Sequence, residues 1–207
     1  MKDREILDKK LQEARARLSA RYAEGNVPWD DPVPPPEVIE IAAKLSPGRA
    51  LDLGCGYGRS SIYLAALGWE VDAVDFIEEA IEVAAARAKE AGVSIRFHQG
   101  SITDLSFLDG PYDFALDVGC CHILDEEGLQ QYKDQLVRLL APGAVLLIYA
   151  RCHPENSDEE EGFSGLRIGL LEEVLGRDFQ LDWAEPGETH LPDGNSWPSA
   201  WYQFRRI

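Results

Sequence analysis

The chain has 207 residues, a formal net charge of −17 and a hydrophobic share of 45%, which fits a globular protein with an ordinary core. So acidic a surface repels phosphodiester backbones, which proteins bind by neutralising them with Lys and Arg, so no nucleic acid is expected as partner. The strongest apolar run, Ala144 to Ala150, is far too short for a bilayer, and the charged start Met1-Lys2-Asp3-Arg4-Glu5 lacks a secretory core, so no membrane and a cytoplasmic location are expected.

Ile6, Leu7, Leu11, Ala14 and Leu18 form one stripe among charges, predicting an amphipathic helix over 3–23 that Gly25 closes. A proline-rich loop over 26–36 carries Trp29, and a short helix over 37–45 follows, with Pro36 suited to its first turn. Strands and helices then alternate: strand 49–53, helix 59–67, strand 70–75, helix 77–91, strand 94–98, strand 112–118, helix 126–140 and strand 144–150. Such alternation predicts parallel strands covered on both faces, with ligands at the strands' carboxyl ends. A helix over 166–176 and strands over 178–184 and 200–207 end the chain. With only a non-helical connection between them, those two strands should pair antiparallel. The acidic run Asp158-Glu159-Glu160-Glu161 reads as a solvated loop on the ligand side, placed where a lid would sit.

The ten residues from Leu51 to Ser60 run from an apolar strand through a glycine-dense turn into a helix, and Asp75 ends the next strand. Glycines let backbone press against a ligand, and an acid in that place can chelate two ribose hydroxyls. A dinucleotide fingerprint would need a third small residue where this chain has Arg59. The spacing is G-x-G-x-G, with Asp52 in the strand before it. That carboxylate repels phosphate and suits a cationic ligand. S-adenosylmethionine carries an ammonium and a sulfonium and no phosphate.

The motifs LDLGCGYG, VDAVDF, QGSITDL and YDFALDVGC, in this order and spacing, resemble those of the class I S-adenosylmethionine-dependent methyltransferases over residues 45–207. The resemblance implies a three-layer, Rossmann-like α/β sandwich whose seven-stranded, mostly parallel sheet has one antiparallel strand. It divides the chain into an N-terminal helical cap with its proline-rich loop, 1–44, and a methyltransferase domain, 45–207. Carried onto this sequence, it places Gly54, Cys55 and Gly56 against the methionine moiety, Asp52 on the ammonium directly or through water, and Asp75 on the ribose. Phe76 would stack on or edge the adenine. Ser101 stands where the family often has an Asp, so the Ser101 hydroxyl and the Ile102 amide would frame the base, with Asp104 nearby. Asp117 and Val118 would lie beside the sulfonium.

The segment from Tyr22 through Gly25 to Pro28-Trp29-Asp30 is similar to that of the thiopurine, thiol and tellurite-resistance group of small-molecule methyltransferases, where such a Trp closes over the cofactor. His122, after the fourth strand, is the expected catalytic group, an imidazole near neutrality able to take a proton from the acceptor, with Tyr149 and His153 behind it. Trp183, Trp197 and Trp201 would suit a planar or apolar small molecule where they face the pocket. Cys55, Cys120, Cys121 and Cys152 show no metal-ligand spacing and are expected as reduced thiols. The expected activity is methyl transfer to a small-molecule acceptor through S, O or N. The alternatives are a noncatalytic S-adenosylmethionine-binding protein and an NAD-dependent oxidoreductase.

Overall fold

The structure is a computed structural model that describes residues 16–25, 27–153, 165–190 and 194–207. The acidic run and the first half of the N-terminal helix lie outside the described residues. After helix α1 (residues 16–23) come α2 (Pro36–Lys44), β1 (Arg49–Leu53), α3 (Arg59–Ala66), β2 (Glu70–Asp75), α4 (Glu78–Glu90), β3 (Arg96–Gln99) and β4 (Tyr112–Val118). A 3₁₀ turn at Cys121–Ile123 leads to α5 (Glu126–Leu139), β5 (Leu140–His153), β6 (Leu166–Arg167), α6 (Leu170–Leu175), β7 (Phe179–His190) and β8 (Ser196–Arg206).

The main sheet has the order β3-β2-β1-β4-β5-β8-β7, with the short β6 paired beside β5. β8 runs antiparallel to both its neighbours and every other pairing is parallel, so one strand is reversed, as expected. Period-two alternation assigns the faces. Leu51, Leu53, Ala115, Leu146 and Ile148 meet Leu129, Tyr132 and Leu136 of α5 and Leu171 and Leu175 of α6. Ala50, Val71, Ala73, Phe114, Leu116 and Leu147 meet Val38 and Ile41 of α2 and Leu64 of α3. The chain winds outward from β1 to β2 in one direction and to β4 in the other, which opens a crevice at the carboxyl ends of β1 and β4.

The tail differs most from its sequence pattern. Where a helix over 166–176 is predicted, Leu166 and Arg167 pair with Cys152 and His153, and Gly169 at φ 90° delays the helix to Leu170. The last two strands are also longer than predicted, because Pro186 and Gly187 do not end β7. On an edge strand the missing Pro N–H leaves no ladder bond unmade. Ser199 pairs with Arg151 on β5, so residues 186–190 and 196–198 continue as a hairpin past the carboxyl end of the sheet.

Buried Asp72 ties the β2 end of the sheet together. Its carboxylate accepts from Arg96 (2.7 and 2.8 Å), Tyr112 Oη (2.8 Å) and His98 Nε2 (2.8 Å). Burial alone would raise its pKa, but the bonds from Arg96, His98 and Tyr112 outweigh it and hold the carboxyl below the usual range. The Asp72→Ala protein should lose about 3 kcal/mol in urea unfolding at neutral pH, because three donors lose their acceptor. The carboxyl's own contribution to stability is present above pH ~4 and disappears as pH falls below it. An unchanged urea midpoint would contradict this.

Candidate functional site

A cavity of about 400 Å³ opens where β1, β2 and β4 end, roofed by α1 and the Trp29 segment and flanked by β5 and the β7–β8 hairpin. Its floor is the glycine turn. The Gly54 and Cys55 amides both donate to Val74 O, at 2.8 and 3.0 Å, which bends the chain across the end of β2. Gly54 sits at φ 73°, and a Cβ there would come within 2.5 Å of Cys120 Cβ and 2.6 Å of Cys120 Sγ. Gly54→Ala should therefore cost about 2 kcal/mol of stability by thermal unfolding, from left-handed backbone strain and overpacking together.

Asp75, buried at the end of β2, accepts the Gly56 amide on Oδ2 and the Ile77 amide on Oδ1, both at 2.9 Å. Burial raises its pKa against the pull of those two amides and of the Phe76 amide. Each oxygen keeps one more acceptor site. Asp52 is buried on β1 and accepts a short bond from Ser61 Oγ of α3. Burial, with the charges of Asp117 and Asp75 behind it, pushes its pKa up to about 7 against that bond and the opposing charge of Arg59. Asp52 is thus a buried carboxylate short of positive charge.

The roof is fixed to the body by side chains. Trp29 Nε1 donates to Tyr22 Oη at 3.1 Å, the Tyr22 ring stands edge-on to Tyr57 at 5.1 Å, and Arg87 of α4 grips Asp30 through two bonds of 2.6 and 2.8 Å. The far wall carries His122, Tyr149, Arg151 and Trp197. Trp197 arrives on the extended hairpin and donates from Nε1 to Tyr149 Oη at 3.1 Å. His122 Nδ1 is buried without a hydrogen-bond partner among the described residues. Burial, with Arg151 beside it, pushes the imidazole pKa down to about 3, so it stands neutral and weakly basic rather than titrating near pH 7.

Of the residues singled out from sequence, Trp29, Asp52, Gly54, Cys55, Gly56, Asp75, Phe76, Val118 and His122 line this cavity. Three of the residues expected at the cofactor are placed elsewhere. The Asp117 carboxylate turns onto the backbone amides of Cys120 (2.8 Å) and Cys121 (3.0 Å) and holds the turn after β4. Ser101 is exposed with its hydroxyl bonded to Thr103, and Ile102 is packed in the core. Arg17, Arg21, Tyr22, Tyr57, Arg59 and Arg151 also line the cavity. Arg17 and Arg21 stand one helical turn apart on α1, a spacing already legible in the sequence.

A model of the methyltransferase domain family matches residues 50–143. Over 180 residues the chain is 30% identical to the 2-heptyl-1-hydroxyquinolin-4(1H)-one methyltransferase of Mycobacteroides abscessus, covering 86% of this chain and 77% of that protein. The chain belongs to the class I S-adenosylmethionine-dependent methyltransferases. The fold matches that of the Burkholderia thailandensis 1,6-didemethyltoxoflavin-N1-methyltransferase, solved with S-adenosylhomocysteine, at a TM-score of 0.76 and 21% identity over 97% of this chain and 90% of that one. It matches TehB of Haemophilus influenzae at 0.74 and 21% identity over 91% of this chain and 67% of that one. The chain spans only 38% to 44% of the length of several other curated relatives it matches.

The cavity fits the family's cofactor. A volume of about 400 Å³ lies within the usual range of small-molecule sites. Asp75 keeps acceptor capacity for two ribose hydroxyls, and Asp52 lacks the cation that an ammonium would supply. Arg59 opens α3, whose first turn holds no acidic residue, so its guanidinium and the helix N-terminus form a positive corner beside Asp52.

Proposed function

We propose that the protein transfers a methyl group from S-adenosylmethionine to a small organic acceptor seated against His122, Tyr149 and Trp197. The observation that carries this reading is that one cavity is lined both by the carboxylates of Asp52 and Asp75 and by His122, Tyr149 and Trp197. The relative named for a hydroxyquinolinone supports an acceptor of that size.

When bound, S-adenosylmethionine supplies an electrophilic methyl on a cationic sulfur. In this reading Asp75 holds the ribose and Asp52 the ammonium, Arg59 faces the carboxylate of the methionine part, and Phe76 borders the adenine. Trp29 and Tyr22 cover the pocket and exclude water. The aromatic wall fixes the acceptor in line with the methyl, and such positioning alone is worth roughly 7 to 11 kcal/mol. His122 stays neutral and borders the acceptor molecule without taking a proton from it.

The test pairs calorimetry of S-adenosylhomocysteine binding with a product assay across thiols, phenols, amines and inorganic anions. Binding and turnover with one organic class are expected. Binding without turnover on any class would favour a noncatalytic cofactor-binding protein, and absence of binding would overturn the reading altogether.

A further inference from the structure

We propose that the acceptor is a planar organic anion, which enters with its negative charge already formed and is gripped by Arg151 over Trp197, with Arg21 and Arg17 at the rim. The proposal rests on the methyl-transfer reading and adds the charge and shape of its substrate.

In a chain with a net charge of −17, three arginines, Arg17, Arg21 and Arg151, border the same cavity. Among the described residues, none of the three has a carboxylate within ion-pair distance, whereas the cavity's other acidic wall residue, Asp30, is held by Arg87. Arg151 is half-buried, and its surroundings disfavour its charge. Burial lowers its pKa, and Arg21 and Arg17 add repulsion, with only Tyr149 acting the other way. A half-buried guanidinium facing two like charges gains most from an anion, and its planar fork matches a carboxylate, phenolate or N-oxide oxygen.

Shape comes from the ring beneath it. The Arg151 guanidinium carbon lies 3.3 Å from the centroid of the Trp197 indole, and Tyr149 lies 5.2 Å from Trp201 at the base of the same hairpin. Indole and guanidinium are both flat, so a flat ring can extend the stack with its charged oxygen against Arg151. Arg21, exposed at the cavity and 5.8 Å from the Trp29 ring, adds positive potential that draws an incoming anion.

The charge also settles proton accounting. The acceptor's anionic atom donates its lone pair to the methyl carbon, a new bond forms, and the carbon–sulfur bond breaks with its electron pair remaining on sulfur. One negative and one positive charge cancel, and no proton has to be removed. A wall whose histidine is held neutral and weakly basic suits that reaction.

The test is calorimetry on the full chain saturated with S-adenosylhomocysteine, using naphthoate and its neutral isostere naphthamide as probes. Naphthoate should bind about tenfold or more tightly, with the margin shrinking at high salt. Arg151→Gln should reduce the preference to about twofold or less, while Arg151→Lys, which keeps the charge and loses the flat stack, should retain part of it. Equal affinity for the two probes, no binding of either to cofactor-loaded protein, or a preference that survives Arg151→Gln overturns the proposal. Loss of S-adenosylhomocysteine binding by the parent protein overturns instead the methyl-transfer reading beneath it, and the proposal with it.

Discussion

Asp75→Ala should weaken S-adenosylhomocysteine binding by at least about a hundredfold in calorimetry. Two hydroxyls bonded to one carboxylate are charge-assisted contacts of about 1.5 to 3 kcal/mol each, and every ~1.4 kcal/mol is a factor of ten. The same substitution strips the acceptor from the Gly56 and Ile77 amides, so the ligand-free protein should also melt earlier. Asp75→Asn separates the two effects. It keeps one acceptor oxygen for the turn but turns an amide N–H₂ toward either a backbone N–H or a ribose hydroxyl, so its melting point should fall less than that of the Ala protein. Its binding should still drop by about tenfold or more. Parent-like affinity in the Ala protein would remove Asp75 from the cofactor site.

That prediction rests on residues plain in the sequence, and the reason is local. The bend at Gly54, the strand before it and the acid ending β2 are set by short-range rules of backbone freedom and periodicity. The alternating core of β1, β2 and β4 was legible for the same reason, and β4 spans the very residues its pattern marks, Tyr112–Val118. Less visible was everything decided by contacts distant in the chain. Arg59 first reads as a missing glycine, and only the fold brings it beside Asp52. Trp197 reaches the cavity because β7 and β8 continue past Pro186 and Pro198, which edge pairing tolerates and sequence punctuation does not reveal. Asp117 shows the opposite case. Its position at the end of an apolar strand suggests a ligand contact, but the backbone bends so that the Cys120 and Cys121 amides take the carboxylate first. His122 has the position expected of a base, and burial beside Arg151 removes the basicity.

Cofactor affinity should rise with pH and level off above about pH 7, because the ammonium needs Asp52 ionised and burial holds that carboxyl at about 7 in the ligand-free protein. Below that point each pH unit should cost up to about tenfold in the dissociation constant, as the proton must leave before the ion pair forms. Ligand-free stability moves the other way. A carboxyl raised from 3.8 to about 7 binds a proton more tightly folded than unfolded, so its ionisation penalty is absent below pH ~4, grows between pH ~4 and ~7, and is complete above. At about 1.4 kcal/mol per unit the penalty is of order 4 kcal/mol. Asp117, pushed up to about 6 by burial, contributes in the same direction over a narrower window. Cofactor binding should therefore stabilise the protein more at pH 8 than at pH 5, since the ammonium relieves at high pH a strain that protonation relieves at low pH. Asp52→Asn tests this directly. Its amide keeps the contact with Ser61 but cannot ionise, so the variant should bind S-adenosylhomocysteine weakly and with a clearly shallower pH profile between 5 and 8 than the parent's. A slope in the variant equal to the parent's would assign the titration to another group and place the ammonium away from Asp52.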